Sequence, residues 1–269
     1  MYDEKRKNCI TLFGFEHLCS VCGEVFVPSY VSEAICDDLA ADWGISVLQR
    51  RYFNYREGCS CKKCGATIRN INMGKALLEV VNLKFARNFQ FVKDFVASQD
   101  LQDMKIAEIN NCGILHTYLT KCPGLFYSEY GSTDPATPSE DLMALSYEDG
   151  FFDVVVTSDV LEHVPNYPKA FEEITRVLKD DGTFVFTVPF LDDRKTVVRA
   201  AIDANGQVVH HKSRSYHGDY GEGKNDYLVF YEFGTDFVDE LNDYFDVSIY
   251  CHSGFGGLIQ SVFVCRKFS

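Results

Sequence analysis

Two short loops early in the chain carry the residues best suited to hold a metal ion. Cys19-Ser-Val-Cys22-Gly23 and Cys61-Lys-Lys-Cys64-Gly65 each set two thiols three positions apart and follow them with glycine. That spacing lets both thiolates of a loop reach one ion, while the glycine lets backbone amides turn toward the sulfurs. Together Cys19, Cys22, Cys61 and Cys64 form the donor set of a tetrahedral, structural Zn2+ site. Cys59, two residues before Cys61, is a competing ligand, whereas Cys9 and Cys36 read as small apolar fillers. Lys62, Lys63, Arg50, Arg51, Arg56 and Arg69 gather near the loops, a patch too short to favour RNA contact over an ordinary solvated surface. A second group of chemically able residues is histidine. His163, His211 and His217 are candidates for taking a proton from a hydroxyl near neutral pH, because an unperturbed imidazole titrates at about 6.5. His217 stands beside Gly218 and Asp219, whose carboxylate could orient the ring. For each histidine the alternative is a pocket wall or a structural loop residue.

The elements that must hold these residues follow from apolar spacing. Asp153–Ser158 is a β-branched run of the kind a strand buried on both faces needs. Asn166 suits a helix N-cap, Pro168 suits the first turn, and Phe171, Ile174, Val177 and Leu178 share one face. Lys179 is placed to close the last turn and Asp180-Asp181-Gly182 to stop the helix. Gly182–Pro189 is then a second buried strand. Strand, crossover helix and strand make a βαβ unit, so Ser158–Val164 lies at a strand's carboxyl end, where open α/β sheets bind ligands.

Lys105–Ile109 is expected as the first strand and Gly124–Tyr130 as the second. Glu129, at the end of the latter, can accept both ribose hydroxyls of an adenosine, a task an acid also performs in NAD-binding folds. The lack of G-x-G-x-x-G speaks against NAD. Ser32–Ile45 suits a helix between the cysteine loops, Asn72–Ser98 one or two helices with a wide apolar face, and Thr235–Phe245 another. Asp246–Ser253 and Ser261–Lys267, joined by Gly254–Gln260, read as a terminal antiparallel hairpin. The segment of about 190–232 is long, polar and aromatic, and long loops inside compact domains are usually functional.

The run SDVLEHV followed by AFEEITRVLKDDGTFVFTVP resembles the fourth-to-fifth-strand segment of class I S-adenosylmethionine (SAM)-dependent methyltransferases. Within them it is most like the LEHV-type, methyltransferase-11-like group. The resemblance implies a Rossmann-like α/β fold whose seven-stranded sheet ends in the antiparallel hairpin, with SAM as cofactor. It also implies a small zinc-ribbon-like module at residues 1–70, linking helices at 71–98 and a catalytic domain at 99–269. The pattern Cys61–Arg69 resembles the end of such modules and puts Arg69 at the junction.

In this family an acid after the first strand opens a glycine-rich turn. Glu108 is that acid, but Asn110, Cys112 and Ile114 stand at the glycine positions and Gly113 is alone. Asparagine tolerates positive φ, so Asn110 or Asn111 can replace a glycine in conformation. The resemblance further implies Glu129 and Tyr130 at the ribose. It puts Asp141 and Leu142 at the adenine, with Glu140 an alternative by a one-residue slip. Ser158 and Asp159 then fall at the methionine end. ATPSEDLMAL, residues 136–145, is expected to cross to a third strand.

Composition sets outer bounds. With 269 residues and 46% hydrophobic content, the chain suits one α/β domain and a small appendage. Eleven cysteines without an apolar leader argue for reduced thiols or metal ligands. No apolar run reaches the roughly 18 residues of a membrane span, so a cytoplasmic location is expected. The net charge of −13 falls wholly after residue 70, a surface that repels a phosphate backbone, so nucleic acid is not expected as a partner. The expected activity is methyl transfer to a small polar acceptor, most simply O-methylation of a sugar or surface-glycan precursor. The glycan part rests on similarity of the PF…HGD…FG insert pattern to methyltransferases of surface-polysaccharide synthesis. The alternatives are a catalytically silent SAM-fold binding protein and a nucleic-acid or protein methyltransferase docked through zinc.

Overall fold

Ribbons too short to stand alone build the first part of the chain. His17–Leu18 pairs antiparallel with Val25–Phe26 around the first cysteine loop, and Ser29–Tyr30 pairs with Cys59–Ser60 ahead of the second. The computed structural model describes residues 16–30, 33–217, 227–251 and 261–268. These fall into two units, one of Met1–Met104, Asn111–Leu125 and Tyr250–Val262, the other of Lys105–Asn110, Phe126–Ile249 and Phe263–Ser269.

In the first unit, helices α1 (Asp37–Trp43) and α2 (Val47–Gly58) fill the stretch between the cysteine loops. Gly44 ends α1 at φ 60°, and Ser46 with Gln49 forms a capping box that starts α2. Trp43 meets Phe53 edge to face at 5.7 Å. The long helix α3 (Ile68–Phe85) starts at a second capping box, Thr67 with Asn70. It stops at Ala86 in the left-handed region, and α4 follows at Val92–Ala97. The break is held by Asn82, whose side chain exchanges two hydrogen bonds with the backbone of Phe89. The last helix of this unit is α5 (Ile114–Leu119).

The second unit is organised on a sheet of β1 (Ile106–Ile109), β2 (Leu125–Ser128), β3 (Phe152–Ser158), β4 (Leu178–Thr187), β5 (Phe245–Cys251) and β6 (Ser261–Lys267). The strands run in the order β5-β6-β4-β3-β1-β2. Every residue of β3 is buried, as expected for a strand covered on both faces. β3 is parallel to β1, with Ala107 opposite Val155, and to β4, with Val155 opposite Phe184; β6 is antiparallel to β4. Helices α6 (Tyr167–Val177) and α7 (Asp236–Leu241) complete the unit. Asn166 caps α6 through Lys169 N–H and Pro168 sits in its first turn, as its sequence requires. Phe171, Phe184, Phe186, Phe233, Phe237, Phe245 and Phe263 are all buried, and ring contacts link them into one aromatic core.

Two expectations are corrected. Helix α6 ends at Val177, and Asp180-Asp181-Gly182 lies inside β4 rather than serving as the helix stop. The register of β4 on β3 shifts across this stretch. Lys179 there pairs with the buried Asp153 at 2.8 Å, and a Cβ on Gly182 would stand 2.8 Å from the Lys179 carbonyl oxygen. The chain folds tightly enough to need glycine while still in the strand. The described sheet has six strands rather than seven. Where the third was expected, there are two isolated bridges, a parallel one between Glu129 and Ser139 and an antiparallel one between Asp141 and Ala144. Side chains claim the amides a ladder would use, with Met143 N–H donating to Asp141 and Ser146 N–H to Glu140.

The segment after β4 is a set of small antiparallel ribbons: Val197–Val198 with Tyr231–Glu232, Ala200–Ile202 with Val208–His210, and Tyr216–His217 with Tyr227–Leu228. They are tied together by Arg199, which is 2% exposed, pairs with buried Glu232 and donates to the Ser213 carbonyl at 2.7 Å. Gly218, Asp219 and the expected hairpin connection Gly254–Gln260 lie outside the described residues, as does Cys9. Among the described residues no helix is long and apolar enough to cross a membrane.

Removing one member of a buried ion pair strands the other charge. Arg199→Met should cost about 3–5 kcal/mol in urea unfolding, and the double change Arg199→Met with Glu232→Leu clearly less. Equal costs for the single and double variants would show that the pair does not organise the insert.

Candidate active site

The turns that follow β1, β2 and β3 converge on one cavity of about 490 Å3. Asn110 lines it after β1, Tyr130 and Gly131 after β2, and Val160 and His163 after β3. Ile202, Tyr227 and Phe230 of the insert close another side. Ligands of open α/β sheets bind at the carboxyl ends of the strands, and the volume is that of an ordinary small-molecule site.

Backbone conformation at these turns is unusual where it needs to be. Asn110 has φ 60° and Asp159 φ 53°, a region few residues other than glycine and asparagine or aspartate occupy. Asn110 holds the first two turns together, since its N–H donates to Ser128 O and its Oδ1 accepts from Tyr130 N–H, both at 2.8 Å. It takes the glycine conformation that the sequence lacks there. In the other unit Gly113 has φ 66°, and a Cβ on it would stand 3.1 Å from Asn70 Nδ2, the group that donates to Cys112 O at 2.9 Å. The single glycine retained in this turn is needed for that contact. Cys112 is fully buried beside it.

Asp141 and Leu142 line the cavity, as does Glu140. Both oxygens of Glu140 are engaged by Ser146, through its N–H and its hydroxyl, whereas the hydrogen bond to Asp141 reaches Oδ1 only. Asp141 is therefore better placed than Glu140 to accept from a ligand. Glu108 is fully buried within β1. Ser158 is buried, its hydroxyl 3.3 Å from that of Thr187, and the Asp159 N–H donates to Thr187 O at 3.0 Å. The Glu129 carboxylate accepts from the Tyr127 hydroxyl. Glu108, Glu129, Ser158 and Asp159 border the cavity in sequence but are not part of its wall.

Of the candidate bases, His163 lines the cavity, and His217 packs against it edge to face at 4.9 Å. Burial holds the His163 pKa below its ordinary value, against the opposing pull of Glu162, so its ring is neutral near pH 7. His163 Nδ1 lies 3.0 Å from Leu228 O. His211 is exposed, its N–H spent on Arg199 O, and it joins neither the cavity nor the other two rings. The sequence reading missed Glu162, which is 1% exposed and lies between the two histidines. Its signal was adjacency to His163 and nothing more.

In the first unit the four knuckle thiols gather as their spacing predicts. Their sulfurs lie within 4.8 Å of one another, with Cys19–Cys64 at 3.7 Å and Cys22–Cys61 at 3.8 Å. Four thiolates at about 2.3 Å from one tetrahedral ion stand about 3.8 Å apart. A hydrogen bond from Cys19 lowers the Cys64 thiol to about 5, while burial raises Cys22 to about 11. Cys59 is buried in its ribbon and outside this cluster. Four of the six basic residues nearby are held by acids: Arg50 by Asp37, Arg56 and Arg69 by Glu57, and Lys63 by Glu24.

Residues 131–186 match the methyltransferase domain family. Among solved structures the chain is similar to the Burkholderia thailandensis 1,6-didemethyltoxoflavin-N1-methyltransferase, which was solved with bound 1,6-didemethyltoxoflavin and S-adenosylhomocysteine. That match is 13% identical over 90% of this chain and 95% of the other, with a TM-score of 0.44. A SAM-dependent methyltransferase from Mesorhizobium loti is 14% identical over 65% of this chain and 95% of its own, with a TM-score of 0.35. Similarity at this level says nothing of the acceptor. No curated protein matches the sequence.

If Asn110 stands in for glycine, its replacements should separate by conformation. Asn110→Ala should destabilise the protein by about 1–2 kcal/mol more than Asn110→Gly in urea unfolding, because alanine must bear the positive φ. An alanine variant as stable as the glycine variant would contradict the assignment.

Proposed function

We propose that this chain, a class I SAM-dependent methyltransferase, transfers its methyl group to a hydroxyl of a small polar acceptor, a sugar or surface-glycan precursor. The observation that carries the reading is the cavity, which the strand-end turns line on one side and the ribbon insert on another. Methyl transfer needs little from a protein beyond alignment and exclusion of water. One wall for the cofactor and a separate wall for the acceptor supply both.

The residues present suit SAM, which when bound supplies an electrophilic methyl group on a sulfonium. Asp141 offers a carboxylate oxygen and Leu142 an apolar surface to the adenine. Tyr130, 55% exposed, can cover the ribose, and Glu129, engaged by the Tyr127 hydroxyl at Oε1, can accept from the ribose at Oε2. Glu108, Asn110, Cys112, Gly113, Ser158 and Asp159 complete the assignment made from the sequence, with Asp159 toward the methionine ammonium. On the acceptor side His163 and His217 are the groups able to orient a hydroxyl, and exposed His211 is the weakest of the three candidates. The four-cysteine cluster is assigned a structural Zn2+, whose ligand separations its sulfurs already have. The acidic chain and the pairing of Arg50, Arg56, Lys63 and Arg69 with carboxylates support a small acceptor over nucleic acid.

Titration calorimetry with S-adenosylhomocysteine should show one site, and Asp141→Ala should weaken it at least tenfold, the effect of one charge-assisted hydrogen bond. No binding by the unaltered protein at high micromolar ligand would sink the cofactor assignment. Transfer of labelled methyl to RNA or protein, and to none of a panel of nucleotide sugars and oligosaccharides, would overturn the acceptor class. Elemental analysis should find about one zinc per chain, lost together with thermal stability in Cys61→Ser.

A further inference from the structure

Glu162 is a buried carboxylate that no hydrogen bond answers among the described residues. It is 1% exposed, and neither carboxylate oxygen has a hydrogen-bond partner. A carboxylate removed from water without compensation costs several kcal/mol. The groups that face it are imidazole nitrogens: His217 Nδ1 at 3.5 Å and His163 Nε2 at 3.6 Å, both measured to Oε1. These distances are too long for hydrogen bonds. They are close to those of ligands sharing an ion, since donors about 2.0–2.2 Å from a tetrahedral centre stand about 3.4 Å apart. The three ligand atoms lie within 4.8 Å of one another.

The tautomer of His163 sharpens this. Nδ1 lies 3.0 Å from a carbonyl oxygen, that of Leu228, so Nδ1 must carry the proton and donate. In the neutral ring the lone pair of Nε2 then faces the Glu162 carboxylate. Two electron-rich groups facing each other in a buried site call for a cation between them. A ring nitrogen donating to a backbone carbonyl is also the usual support of a metal-bound histidine. The same peptide links the other ligand, because Leu228 pairs with Tyr216 next to His217, and Phe230 N–H donates to Glu162 O.

We propose that Glu162, His163 and His217 bind a divalent first-row transition ion. Two imidazoles and one carboxylate suit Zn2+, Co2+, Mn2+ or Fe2+, and an all-oxygen preference disfavours Mg2+ and Ca2+. Three protein ligands leave coordination positions open, and His163 is on the cavity wall. The ion is thus poised to receive an oxygen of the acceptor; this last role rests on the methyl-transfer reading, whereas ion binding does not. The ligands come from the turn after β3 and from the insert, so the ion would fix the insert to the sheet.

The test is calorimetric and optical titration with Co2+ of the full chain holding a single zinc per molecule by elemental analysis. One equivalent should bind beyond the zinc already present, without the thiolate-to-cobalt charge-transfer absorption that the cysteine cluster would give. His217→Ala, at a half-buried position, should weaken this site at least tenfold, and His163→Ala likewise. Glu162→Gln should abolish it and, by removing a buried unpaired charge, raise the thermal stability of the ion-free protein. No second equivalent, or unchanged Co2+ affinity in His217→Ala, overturns the site. S-adenosylhomocysteine binding is followed in the same samples. Its absence from the unaltered protein would overturn the methyltransferase reading alone. Its retention in His217→Ala beside loss of Co2+ would support the ion site as distinct from the cofactor's.

Discussion

The second unit of this molecule depends on one strand with no exposed position. β3 is buried at all of its positions and flanked by parallel partners. Such a strand cannot return through a tight turn, because a parallel partner requires a crossover. Helix α6 supplies it, and its apolar face packs in the aromatic core. The consequence is positional. The carboxyl ends of β1 and β3 fall at one edge of the sheet, and the residues after them have to satisfy the last amides without continuing the ladder. Asn110 and Asp159 do so in left-handed conformations, and the space left between the turns is the cavity.

Much of this was legible because burial imposes composition. The buried run of β3, the cap of α6 and the gathering of the four knuckle thiols follow from local residue types, and the structure shows each. What was not legible depends on contacts distant in sequence. Asp180-Asp181-Gly182 looks locally like a helix stop, yet Lys179 is drawn to Asp153 and Lys267 to Asp180, and these ties keep the segment in β4. The missing third strand has the same origin. Asp141 and Glu140 satisfy nearby amides with their own side chains, a choice that no periodicity reveals.

The glycine-poor turn shows how a motif can be lost while its geometry survives. What the position after β1 requires is a positive φ and a side chain able to bond locally. Asparagine meets both, and its Oδ1 adds a tie to Tyr130 that glycine could not make. Gly113 likewise has a positive φ, 66° with ψ −133°, and the close approach of Asn70 adds to it. Motif matching counts glycines, whereas the fold counts conformations. The site residues read from the family pattern divide along the same line. Asn110, Tyr130, Asp141, Leu142 and His163 reach the cavity wall, and Glu129 is held by a neighbouring tyrosine, a contact its position at the strand end did not disclose.

Electrostatics distinguishes the buried charges by how each is answered. Arg199 is as deep as Glu162, but its guanidinium pairs with Glu232 and donates to the Ser213 carbonyl, so its charge is answered within the insert. Asp153 is likewise matched by Lys179 and by the Lys105 N–H. Glu162 alone among these has only imidazole nitrogens at non-bonding distance. Folding could have used an apolar side chain there at lower cost, since replacing a buried charge by a well-packed apolar group is often stabilising. A charge retained against that gradient, next to His163 of the cavity wall and between two elements that must be held together, is what the proposed ion would answer. The insert is otherwise a set of two- and three-residue ribbons, too short to fix themselves, and its attachment to the turn after β3 runs through Glu162, His163 and Leu228. The same cluster that would bind an ion is the joint on which the insert side of the cavity is built.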